Sequence, residues 1–129
     1  MSSHILVDTD VLIDFGHGIE EAANFIEVEA TQSSLAISAI TVIELLAGAR
    51  NRKEQRQLKG FLHPFEIVHL SESISKEAIR LIEQYRLSHG LLMPDALIAA
   101  TAIQLNLSLV SKNQRDFRCI ESLNLLPYP

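Results

Sequence analysis

The sequence predicts a three-layer α/β fold with a mainly parallel central sheet of four to five strands flanked by helices, and three observations predict it. First, His4-Ile5-Leu6-Val7 is a β-favouring run without alternation, the mark of a strand buried on both faces. Second, short runs of the same kind recur down the chain, separated by stretches with helical spacing. Third, their order is strand, helix, strand, helices, strand, helices, strand, helix, strand. That order implies right-handed crossovers and a sheet covered on both sides.

A chain of 129 residues is expected to form one domain, 1–129, around a single core. Hydrophobic residues make up 47% and charged residues 21%, an ordinary globular balance. No linker-like stretch, repeat or low-complexity segment divides it. The longest apolar run is far short of a membrane span, and the N-terminus has no basic segment leading into an apolar run with a cleavage site. The expectation is a cytoplasmic protein without membrane association. Cys119 has no partner cysteine and is read as a packed residue. His4, His17, His63, His69 and His89 show no metal-ligand spacing and are read as surface or end-of-element residues.

The elements follow in order. After the first strand, Asp8-Thr9-Asp10 forms a turn, and Gly16 and Gly18 punctuate the chain before a helix. That helix runs from Ile19 to about Ala30, with Ile19, Ala22, Ala23, Ile26 and Ala30 at helical spacing. Leu35-Ala36-Ile37-Ser38 is the second strand, and Ala39 to Ala49 is apolar enough for a largely buried helix carrying Glu44. Arg52 to Leu62 is charged and glutamine-rich, as an exposed helix is, and His63-Pro64 stops it. Glu66 to Leu70 is the third strand. Serines at 71, 73 and 75 offer N-caps to a helix striped by Ile74, Ala78, Leu81, Ile82 and Tyr85, which His89-Gly90 closes. Pro94 suits the first position of a buried helix over Ala96 to Leu105. Leu107 to Val110 is the fourth strand, Ser111 to Phe117 a polar loop or short helix, and Leu123 to Leu126 a short last strand.

In open α/β sheets, strand ends and helix starts share one rim, where ligands collect. That rule selects four acids: Asp8 at the end of strand one, Glu44 in the helix after strand two, Asp95 at the start of the helix before strand four, and Asp116 after strand four. Four carboxylates with no histidine or lysine among them make no nucleophilic triad, and they repel one another unless protonated or bridged by cations. Mg²⁺ or Mn²⁺ suits an all-oxygen site, and such ions assist hydrolysis of phosphate esters. Each acid also has a structural reading. Asp95 would complement a helix dipole, Thr41-x-x-Glu44 fits a capping box, Asp8 suits a strand-end turn, and Asp116 could pair with Arg115 or Arg118. Asp10 could orient Asp8 or the turn, whereas Asp14 is read as a surface acid.

The ordered set Val7-Asp8-Thr9-Asp10-Val11-Leu12, Ser38-Ala39-Ile40-Thr41-Val42-Ile43-Glu44-Leu45, Pro94-Asp95-Ala96-Leu97-Ile98-Ala99-Ala100-Thr101-Ala102 and Ser111-Lys112-Asn113-Gln114-Arg115-Asp116-Phe117 resembles the PIN-domain ribonucleases. The shortness of the chain makes it similar to their VapC-type toxins. The resemblance spans the whole chain and implies a PIN-like fold. It places the family's acids on Asp8, Glu44, Asp95 and Asp116, with Thr9 and Asn113 shaping the site; Asp10 departs from an asparagine common among relatives. It further implies Mg²⁺- or Mn²⁺-dependent endoribonuclease activity on RNA, a homodimer, and inhibition by a small cognate antitoxin.

The net charge of −5 argues against broad electrostatic binding of nucleic acid, but not against an RNA substrate if metal ions neutralise part of that charge locally. Lys112, Arg115 and Arg118 lie nearest the expected site; Lys112 and Arg115 are the expected phosphate contacts. Arg50, Arg52, Lys53, Arg56 and Lys59 could guide RNA or meet a partner, with a solvated helix face as the default reading. Two rival functions stand beside this one. Asp8-Thr9-Asp10 is similar to the Asp-x-Asp signature of haloacid dehalogenase-type phosphatases, with Asp8 as nucleophile, though that leaves Glu44 and Asp95 without roles. The other rival is a non-catalytic PIN module that binds RNA or a partner.

Overall fold

In the computed structural model, which describes residues 4–32 and 34–129, the run around Leu6 becomes the middle of the sheet. The elements are β1 (Ile5–Val7), α1 (Thr9–Gly16), α2 (Glu20–Ala30), β2 (Leu35–Ser38), α3 (Ala39–Ala47), α4 (Arg52–Leu62), β3 (Glu66–Val68), α5 (Glu72–His89), α6 (Met93–Gln104), β4 (Ser108–Val110), α7 (Gln114–Phe117) and β5 (Asn124–Leu125). The strand order is β3-β2-β1-β4-β5, and every pairing is parallel. Leu6 lies opposite Ala36 on one side and Leu109 on the other. The expected mainly parallel sheet is thus wholly parallel.

The period of two along each strand divides the interior into two layers. Leu6, Ala36 and Leu109 face a cluster formed with α5, α6 and Phe117, including Leu81, Ile98 and Ala99. Ile5, Val7, Leu35, Ile37 and Val110 face the opposite cluster, with Val11 and Leu12 of α1, Ile26 of α2 and Leu62 of α4. β1 therefore needs apolar side chains on both faces, which is why its sequence does not alternate.

The first helix departs from expectation. Thr9–Gly16 is helical rather than a turn, and Asp8 is its N-cap. β-branched Thr9, Val11 and Ile13 weaken the helical signal, but burial of Val11 and Leu12 decides the conformation. α3 ends at Ala47, with Gly48 as cap. Its N-cap is Ser38, whose Oγ accepts from the Ile40 N–H at 3.1 Å, so Thr41 and Glu44 do not form the helix's capping box. Pro94 takes the second position of α6, after Met93. The third, fourth and fifth strands are each shorter than expected. α5 closes at Gly90 (φ 72°), as a left-handed cap requires. Cys119 packs against the α5–α6 core. Among the described residues no helix is long and apolar enough to cross a membrane.

The sheet order reverses between β1 and β4, so the carboxyl ends of these two strands open onto a crevice. Phe117, with no exposed surface, anchors the short α7 to the core beneath that crevice. Phe117→Ala should lower the free energy of unfolding by about 3–5 kcal/mol. Urea denaturation should show a reduced midpoint with an unchanged slope; a midpoint equal to the wild type would contradict this anchoring.

Candidate active site

Asp8 follows β1 directly, and its N–H still donates to Val110 O of β4 at 2.9 Å. The carboxyl is nearly buried (5% exposed) at the seam of the sheet. Its Oδ1 accepts from the Thr9 N–H at 2.8 Å and its Oδ2 from the Ser111 hydroxyl at 2.7 Å. Both bonds favour the charged form. Burial outweighs them, aided by the charges of Asp10 and Asp95, and the Asp8 pKa is pushed up to about 7.

Asp95 lies in the first turn of α6, where the helix dipole favours a negative charge. Its pKa is nonetheless raised to about 6, by burial first and then by Asp116, Asp10 and Glu44. Acids from the ends or starts of separate elements therefore act on one another across the crevice. Asp10, placed outside the sequence-selected four, belongs among them. Its Oδ1 accepts from the Lys112 N–H at 3.2 Å, its Oδ2 lies 3.3 Å from the Ser111 hydroxyl, and burial raises its pKa.

Hydroxyls fix the remaining members. Thr9 Oγ1 lies 2.9 Å from Thr41 Oγ1 and 3.0 Å from Glu44 Oε1. The carboxylate can only accept, so the single Thr9 proton goes to Glu44 and Thr41 donates to Thr9. Asp116 sits in α7, where Asn113 Nδ2 donates to its Oδ2 at 3.1 Å while Asn113 Oδ1 accepts from the Asp116 N–H at 3.4 Å. The basic residues divide. The Lys112 ammonium is held by Asp14 at 2.9 Å, so Asp14 is a partner to that lysine rather than a solvated acid, whereas Arg115 is exposed.

Sequence reasoning missed two polar residues here, Ser111 and Thr41, both with no exposed surface. A usable signal existed for Ser111. It follows β4 as Asp8 follows β1, so the rule that selected Asp8 also selects it.

The donors are hard oxygens with no cation among them, which suits Mg²⁺ or Mn²⁺. Among the described residues no three His, Cys, Asp or Glu groups stand close enough to hold one ion unaided. A cation here would take one or two carboxylates directly and complete its shell with water, the habit of Mg²⁺.

The PIN domain model matches residues 5–122. The chain belongs to the PIN-domain family. It is 35% identical over 120 residues to ribonuclease VapC10 of Mycobacterium tuberculosis, covering 92% of this chain and 90% of that one. Among solved structures it is similar to a toxin–antitoxin complex from Klebsiella pneumoniae (32% identity, 98% of this chain and 97% of that one covered, TM-score 0.77). It is also similar to VapBC2 of Rickettsia felis bound to a DNA fragment from their promoter (26% identity, 97% and 98% covered, TM-score 0.82). PIN membership replaces the haloacid dehalogenase-type reading of Asp8-Thr9-Asp10.

The buried acids of this PIN domain set a defined pH dependence. The Asp8 pKa is about 7 folded against 3.8 ordinarily, so metal-free folded protein binds more protons than unfolded chain across that window. The stability due to the protonated group is full below pH 3.8 and lost as pH rises through about 7. Asp8→Asn should therefore gain on the wild type by on the order of 2–4 kcal/mol between pH 4 and pH 8. Asn remains a good N-cap, and the Ser111 hydroxyl can turn to Asp10. Thermal melts in EDTA at both pH values measure the difference, and parallel curves for the two proteins would contradict it.

Proposed function

We propose that this PIN domain is a Mg²⁺- or Mn²⁺-dependent endoribonuclease, the cytoplasmic toxin of a toxin–antitoxin pair, acting as a homodimer. The observation that carries the reading is the convergence of Asp8, Asp10, Glu44, Asp95 and Asp116 on one crevice, where the charge of Lys112, itself paired to Asp14, reaches Asp10 but does not offset Asp8 or Asp95, which are raised to about 7 and about 6. Such a cluster opposes folding unless it is protonated or a cation enters it. A non-catalytic module has no need of that arrangement.

Asp8, Glu44, Asp95 and Asp116 hold the cation directly or through water. When bound, it supplies Lewis-acid activation of water and charge stabilisation at the leaving oxygen of a phosphodiester. Ser111 keeps the Asp8 carboxylate in one orientation, Thr9 does the same for Glu44, and Asn113 for Asp116. Arg115, and Lys112 where it exchanges Asp14 for a phosphate, hold the RNA backbone. The similar Klebsiella and Rickettsia structures are toxin–antitoxin complexes by name, which supports a small antitoxin as partner. Apolar surface is available for protein partners: Ile79 (60% exposed), Leu92 (52%) and Met93 (68%) border a groove between α5 and α6.

Wild-type protein should cleave single-stranded RNA with Mg²⁺ or Mn²⁺ and not in EDTA. Asp8→Asn and Asp95→Asn, both folded, should lose about 100-fold or more of that activity. Full cleavage by either variant at equal concentration would sink the assignment. The homodimer predicts a light-scattering mass of twice the 14.4 kDa chain; a monomer throughout the micromolar range contradicts it.

A further inference from the structure

Resting on the ribonuclease reading, we propose that the polar cavity on the Asp116 side of the crevice is the RNA subsite flanking the cleavage point, gripping a phosphodiester through Arg115 and Arg118. The cavity holds about 640 Å³ and lies where the end of α5 meets α7, between Ser88, His89 and Gly90 on one side and Arg115, Asp116 and Arg118 on the other. Asp116 is thus a wall shared with the acid crevice, because its charge acts on Asp95. A strand of RNA laid across the acids would enter this cavity next.

The charge pattern favours a polyanion. Arg50, Arg80 and Lys112 are committed to Glu54, Glu77 and Asp14. Arg115 and Arg118 are exposed, and among the described residues neither forms an ion pair or side-chain hydrogen bond. The acid crevice repels phosphate, so affinity for RNA must come from cations within a Debye length of it. Two unpaired guanidiniums beside Asp116 meet that need, and their forked donors match phosphate oxygens. Two other cavities near the rim offer no unpaired lysine or arginine: the one between α1, α3 and α4 takes in Glu44 and Glu54 among mostly apolar walls, and the one beside Lys112 also holds that lysine's partner Asp14, with Glu21.

The cavity wall is also pre-arranged. His89 Nδ1 is 2.7 Å from Ser88 Oγ, and the ring meets Tyr85 edge-on at 5.9 Å. Nδ1 is thereby occupied, which leaves Nε2 for a ligand. Arg86 Nη1 donates to Gly90 O at 3.2 Å and Leu91 O at 3.3 Å, fixing the turn that floors the cavity.

The test uses the full chain carrying Asp8→Asn and a fluorescein-labelled 12-nucleotide single-stranded RNA, with anisotropy measured in EDTA over a range of salt. Adding Arg115→Gln with Arg118→Gln should weaken binding about 10- to 100-fold. It should also flatten the log–log salt slope by about 1.4, two contacts at about 0.7 each. With Asp8 intact and Mg²⁺ present, the same pair should raise KM by a similar factor with kcat within about threefold. Arg52→Gln with Arg56→Gln removes the same charge from α4 and should leave binding within about twofold. Equal losses in the two double variants would reduce the effect to net charge and overturn the subsite. So would unchanged binding and KM for the Arg115/Arg118 pair in a protein that cleaves RNA. Absence of metal-dependent cleavage by the wild type would instead overturn the nuclease reading, and the subsite with it.

Discussion

The hydrogen bond from Ser111 to Asp8 joins residues 103 positions apart, and the geometry of the crevice depends on it. Through Asp8 the end of β1 caps α1, and through Ser111 the same carboxylate fixes the end of β4. Thr9, placed by that cap, reaches Thr41 and Glu44 on α3. Asn113, whose N–H donates to Ser111 Oγ at 2.9 Å, holds Asp116. A buried hydroxyl–carboxylate contact at the reversal of the sheet is therefore the reference point for three further acids, Asp10, Glu44 and Asp116.

That reference point works against folding as well as for it. Burial holds Asp8 and Asp95 above the ordinary carboxylate range, and their neighbours are mostly further acids. The opposing gain comes from the two apolar layers, where Leu6, Val7, Ile37, Leu109 and Val110 are wholly enclosed. The protein thus carries an electrostatic cost at its crevice that its core offsets, a common arrangement where function and stability compete.

The sheet and its rim were legible because both rest on local signals. Unalternating runs marked β1, β2 and β4, Ser71 and Gly90 bounded α5, and the rim rule then drew out Asp8, Glu44, Asp95 and Asp116. α1 was illegible because Thr9, Val11 and Ile13 speak for a strand, while the burial that overrides them is tertiary. Thr41 escaped for a related reason: a hydroxyl in an apolar stretch looks like any other until its partner, 32 residues away, is known, whereas the rim rule does reach Ser111, which follows β4 as Asp8 follows β1. Lys112 looked free because nothing local announces Asp14, and the cavity beside Asp116 needs α5 to meet α7, a contact that no periodicity encodes.

The segment from Ser111 to Asp116 has no slack. Lys112 N–H is bonded to Asp10, Asn113 N–H to Ser111 Oγ, Gln114 N–H to Lys112 O, and Asp116 N–H to Asn113 Oδ1. Gln114 Nε2 adds Ser111 O at 2.8 Å and Leu126 O at 3.0 Å. One inserted residue would turn whatever follows it by about 100° about the helix axis, swinging Asp116 away from the crevice and Phe117 out of the core together. The number of residues in this stretch is therefore a constraint in its own right, beside the side chains it carries.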